Sequence, residues 1–136
     1  MLIIPLTVEE TVAIMPSHFE GIMPITRVDL LQGTLDVLIL KALSWGPQHG
    51  HAVARLIRAS TDGAFEILDG SLYAALHRME ERGWVDAEWA LSDKGKRAKF
   101  YKLTADGRAQ LRSETAIWRS YAAAVTKLLN TATQPV

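Results

Sequence analysis

The chain contains no cysteine. That absence excludes a disulfide framework, a thiolate nucleophile and a cysteine-ligated zinc site. It suits a cytosolic protein, and a cytoplasmic location is expected. Long apolar runs are missing as well: no stretch reaches the roughly 18 residues of a membrane span. The opening MLIIPLTVEETVAIM is apolar, but Pro5, Glu9 and Glu10 interrupt it, and it lacks the positive leader of a signal peptide. Net charge is absent too, fifteen basic residues balancing fifteen acidic ones over 136 residues. There is no internal repeat and no low-complexity tract. No Gly-x-Ser-x-Gly elbow, phosphate loop or paired-carboxylate pocket is visible, which argues against an enzyme. The length fits one domain.

The zero total hides an asymmetry. Residues 1–29 carry Arg27 against Glu9, Glu10, Glu20 and Asp29. The remainder therefore has 14 basic and 11 acidic residues, a net of +3. Five basic residues and no acidic one lie between Lys94 and Lys102. A local patch of this kind matters more for nucleic acid than the total does. On charge alone, a solvated loop is the commoner meaning of such a run.

Residues 1–29 show no sustained periodicity, and Pro5, Pro16, Gly21 and Pro24 punctuate them. A loose arm is expected there, with Met23 as a candidate natural start. Leu35, Leu38, Ile39, Ala42 and Leu43 then follow the spacing of a buried helix face. Thr34 is the expected cap and Gly46-Pro47 the stop. A second helix is expected over 49–60, with Ala52, Val53, Leu56 and Ile57 inward. Phe65, Ile67 and Leu68 read as a short extended piece. Asp69 is the expected cap of a third helix over 70–82, which buries Leu72, Ala75, Leu76 and Met79 and ends at Gly83. Its opposite face carries Ser71, Tyr73, Ala74, His77 and Arg78, a polar and mildly basic mixture suited to base edges and phosphates.

Residues 84–89 and 98–103 alternate and are rich in aromatics, as strands do. Between them lies a turn with a basic tip, so the pair reads as a hairpin. Thr104 is the expected cap of a last helix over 105–130, with Asp106 in its first turn; residues 131–136 form a tail. Leu111, Trp118, Tyr121, Val125 and Leu128 make a heptad-like seam that one small domain has little else to cover. A partner subunit, giving a homodimer, is the simplest cover.

The expected fold is mainly α with a small β-hairpin: a winged helix-turn-helix over 30–104 and a long C-terminal dimerisation helix over 105–130. In such a fold the third helix enters the major groove. The wing cations Lys94, Lys96, Arg97 and Lys99 then give a salt-dependent grip on the phosphates. Winged helices also serve as protein-interaction modules, and that is the alternative reading; the basic KGKRAK tip argues against it.

Three segments resemble one family. LLQGTLDVLILKALSWGPQHGHAVARLIR (residues 30–58), DGSLYAALHRMEERGWVDAEW (69–89) and GKRAKFYKLTADGRAQL (95–111) are similar to the PadR family of regulators, closest to its short, single C-terminal helix type. The resemblance implies dimeric repressors of inverted-repeat promoter sites, many of which respond to small aromatic effectors. It places Ser71, Tyr73, His77 and Arg78 on the recognition helix and Lys94 to Lys99 on the wing. One departure concerns Ala74, where the family usually has Pro. Ala is tolerated in a first turn, but the presentation of Tyr73 changes, so base specificity does not carry over.

Other chemistry is weaker. Ser71 and His77 lie six residues apart on one helix and project to different sides, so with Asp69 they form no triad. His49 and His51 lack a nearby third ligand, so no metal is expected, and no cofactor is implied. Trp45, Trp84, Trp89 and Trp118 serve first as packing anchors; Trp118, on the last helix, is the best candidate for lining an effector pocket.

Overall fold

A computed structural model describes residues 33–135 of the chain. The expected arm over 1–29 and the candidate start at Met23 lie outside the described residues. Helix α1 spans Thr34–Leu43, and strand β1 is the pair Gln48–His49. Helix α2 (Gly50–Ser60) and helix α3 (Asp69–Glu81) follow. Strands β2 (Val85–Leu91) and β3 (Arg97–Leu103) form the hairpin, and helix α4 runs over Ala105–Leu129.

The helix starts follow local chemistry, with two corrections. Gly33, not Thr34, caps α1, at a φ of 90°. Glycine takes this left-handed conformation without a Cβ clash. Thr34 lies inside the first turn, buried, where its hydroxyl accepts a bond from the Trp118 indole at 3.3 Å. Asp69 stands in the first turn of α3 rather than capping it; Leu68 takes that position and supplies no side-chain bond. Helix α2 is capped by His49, whose Nδ1 accepts from the Ala52 N–H at 3.2 Å.

Helix α3 ends as its glycine requires. Gly83 has a φ of 77°, and the Trp84 and Gly83 N–H groups donate to the carbonyls of Met79 and Glu80, the paired bonds of a Schellman end. Thr104 joins this end to α4: its hydroxyl donates to the Gly83 carbonyl at 2.6 Å and accepts from the Gly107 N–H at 3.0 Å.

The sheet has the order β1-β3-β2 and is antiparallel throughout. In the hairpin Val85 faces Leu103, Trp89 faces Lys99 and Leu91 faces Arg97. Sheet and helices enclose one core. Ile39, Leu40 and Leu43 of α1 meet Val53 and Ile57 of α2 there. Leu72, Leu76 and Met79 of α3 complete it, with Val85, Tyr101 and Leu103 of the sheet. Each large side chain taken from water into such a core contributes about 1.5–3 kcal/mol. This arrangement is a winged helix-turn-helix with a long C-terminal helix. No helix among the described residues is long and apolar enough to cross a membrane.

Candidate nucleic-acid interface

Helix α3 buries Leu72, Ala75, Leu76 and Met79. The helical period therefore turns Tyr73, Ala74 and His77 outward, with Ser71 and Arg78 half-buried at the margins. Tyr73 does not point straight into solvent. Its ring stands edge-on to His51 of α2 at 6.3 Å, and its hydroxyl lies over Gly50 so closely that a Cβ there would sit 2.5 Å away. Burial, and then the charge of Asp69, push the Tyr73 phenol above its ordinary range. The group stays a neutral O–H donor at physiological pH.

Three of the nine residues expected to touch DNA have an acidic partner within the chain. Arg78 forms an ion pair with Asp36 of α1, across two helices. Lys99 reaches Glu80 of α3 at 3.1 Å. His77 lies 3.5 Å from Glu81, one turn along α3. Glu80 and Glu81, close to Arg78 along α3, thus serve Lys99 and His77 instead. Lys94, Lys96 and Arg97 are exposed and have no acidic partner among the described residues. The tip that presents them is a tight turn in which the Ser92 N–H donates to the Lys96 carbonyl at 2.7 Å and Gly95 takes a φ of 75°.

The seam on α4 divides into two groups. Leu111 packs on the core, Trp118 bonds Thr34 and Val125 is half-buried. Tyr121 and Leu128 are exposed. Ile117, outside the heptad-like seam, is exposed as well. Its signal in the sequence is a second spacing: Ile117, Tyr121, Ala124 and Leu128 recur at +4, +3 and +4 along one stripe. Trp89, expected to be a packing anchor, stands 56% exposed on the wing. His49 and His51 have separate structural contacts, the α2 cap and the Tyr73 ring. Among the described residues no three histidine or carboxylate side chains converge.

A helix-turn-helix with an exposed polar helix face beside a cationic hairpin defines the winged-helix class of DNA-binding proteins. Known proteins agree with the geometry. Residues 39–113 match the transcriptional regulator PadR-like family. A protein of Lysinibacillus sphaericus, described as uncharacterized, is 32% identical over 93 residues, which is 68% of this chain and 84% of its own. A transcriptional regulator from Clostridium thermocellum is 26% identical with a TM-score of 0.64, over 71% of this chain and 93% of that one. A PadR family transcription regulator from Clostridium difficile is 28% identical with a TM-score of 0.60, over 71% and 98%. The chain belongs to the PadR-like family, whose members are transcriptional regulators and not enzymes.

Proposed function

We propose that this regulator is a repressor that binds an inverted-repeat promoter site as a homodimer. The observation that carries the reading is one surface: Tyr73, Ala74 and His77 on the outward face of α3 with Ser71 at its margin, beside Lys94, Lys96 and Arg97 of the wing, which have no acidic partner among the described residues. The helix face supplies hydrogen-bonding and apolar groups for base edges. The tip supplies counterion-releasing charge. Arg78 and Lys99 are then anchors of the interface that also meet phosphate where their acids share them.

The exposed stripe of α4, with Tyr121 and Leu128 from the expected seam and Ile117 beside them, supports a second copy as its cover. A two-fold dimer presents two recognition helices to half-sites one helical turn apart. Trp118 supports release by a small aromatic effector: it joins α4 to α1, so a ligand stacked on its ring acts on both helices.

The test is fluorescence anisotropy of the purified protein on the DNA upstream of its own gene and on a scrambled duplex, at two salt concentrations. Tighter, saturable binding to the upstream DNA at the higher salt is expected. Equal, salt-fragile binding to both leaves a nonspecific basic surface. Binding to neither shifts the reading to a protein-interaction module.

A further inference from the structure

Trp89 is the unexpected side chain of the wing. It is large, apolar and exposed on β2, where it buries little and adds little to the core. Its ring instead carries the Arg97 guanidinium, 4.9 Å from the centroid. The hairpin register explains the contact. Trp89 faces Lys99 and Leu91 faces Arg97, so Arg97 lies diagonally across from Trp89 on the same face, within reach of long and aromatic side chains. Val85, Tyr101 and Leu103, further down that face, close the core, and Lys99 leaves it to reach Glu80 of α3. Trp89 and Arg97 thus extend, beyond the edge of the core, the surface that turns toward the recognition helix.

Lys41 over Trp45, Arg82 over Trp84 and Arg97 over Trp89 each lie on a tryptophan ring, and of the three it is Arg97 that stands on the hairpin. Arg58, Arg78 and Lys99 each hold a carboxylate. Arg97 has none among the described residues and is held by a ring face. A guanidinium stacked on a ring keeps the N–H edges of its fork free. The stack also restricts the side chain before any ligand arrives, which lowers the ordering cost of binding. Narrow minor grooves, as in A·T-rich tracts, concentrate negative potential and attract an inserted arginine.

We propose that Trp89 is a positioning residue that holds Arg97 ready for the narrow minor groove of A·T-rich sequence flanking the half-site. The inference rests on the DNA-binding reading above and adds to it a second mode of recognition. Flanking sequence is read as groove shape, while α3 reads base edges.

The test uses the full-length protein and a randomised duplex library. Sequences recovered from the library supply the half-site, which is then synthesised with A·T or G·C flanks, and each duplex is titrated by anisotropy. The A·T-flanked duplex is expected to bind about three- to fivefold tighter, the scale of an exposed cation–π stack. Trp89→Ala and Arg97→Lys erase that preference yet still distinguish the half-site from a scrambled one. Trp89→Phe, which keeps a ring face, retains most of it. Arg97→Lys leaves the ring in place and conserves charge, so the test does not depend on Trp89→Ala folding. A wild-type protein indifferent to its flanks overturns the proposal and leaves the DNA-binding reading standing, as does flank preference retained by Trp89→Ala or Arg97→Lys. Recovery of no sequence from the library overturns both.

Discussion

In the proposed complex with DNA, two partners would compete for the guanidinium of Arg78. Asp36 holds it inside the domain, with the carboxylate side chain only 13% exposed, while a DNA phosphate is the partner its place on α3 invites. Exposed ion pairs contribute about 1 kcal/mol or less, and the near-burial of Asp36 raises the cost of removing Arg78 alone. Arg78→Ala and Asp36→Ala are each expected to lower the melting temperature by several degrees, about 4–8 °C per kcal/mol for a domain of this size. The double variant is expected to fall less than the sum. Strict additivity in calorimetry would show that the pair is not coupled, and an unchanged melting temperature in Arg78→Ala would return this residue to a purely DNA-facing role. Gly50 gives the complementary case. An added Cβ meets the far end of the Tyr73 side chain, not backbone. Gly50→Ala is therefore expected to cost about 1 kcal/mol, the low end for overpacking, while shifting the base preference that the proposed Tyr73 contact sets, read by selection from a randomised duplex pool. At this scale the sequence shows which face of α3 is outward, because Leu72, Ala75, Leu76 and Met79 mark the buried stripe by their period. It does not show that Arg78 meets an acid 42 positions away, or that Arg97 meets Trp89. The first contact depends on how α1 crosses α3, and the second on the hairpin register.

The joint between α3, β2 and α4 sets where the wing stands relative to the recognition helix. Gly83 ends α3, Thr104 bonds that end and caps α4, and Gly107 lets the first turn of α4 pass against the Trp84 carbonyl. A Cβ at Gly107 collides with that backbone oxygen, and backbone cannot rotate aside as a side chain can. Gly107→Ala is expected to cost about 1–3 kcal/mol, and Thr104→Ala about 1 kcal/mol through the lost cap. Urea unfolding checks both, and a Gly107→Ala midpoint equal to wild type would mean that the joint is looser than its geometry indicates. Thr104 and Gly83 are legible in the sequence because capping chemistry is local. Strand β1 is not: two residues, Gln48 and His49, carry no period, and their pairing with Phe100 and Tyr101 arises only when the hairpin folds back. Thr34 misleads for a related reason. A threonine before an apolar stripe has the signature of a cap, but Gly33 reaches the left-handed conformation more cheaply and the buried hydroxyl is required by Trp118.

The proposed dimer depends on the rotational phase of α4. Its apolar period is legible in the sequence, but its phase is not, because phase is decided by which stripe α1 and the core take first. Leu111 and Trp118 go inward, with Val125 partly so, leaving Ile117, Tyr121 and Leu128 outside. Charging Leu111, Trp118 and Val125 together would damage the domain as well as any dimer, so monomers from that variant would be ambiguous. Charging Ile117, Tyr121 and Leu128 leaves the core contacts in place. The triple Lys variant is expected to keep its helical circular dichroism and melting temperature but to scatter light as a monomer. Its affinity for a full promoter site falls toward that for a half-site, since one recognition helix and one wing remain in play. The slope of log affinity against log salt then drops to about half, because each phosphate contact contributes about 0.9 and a monomer makes half of them. A triple variant that remains dimeric would remove α4's outer stripe from the interface. A monomer with an unchanged salt slope would mean that a single subunit already makes all the phosphate contacts.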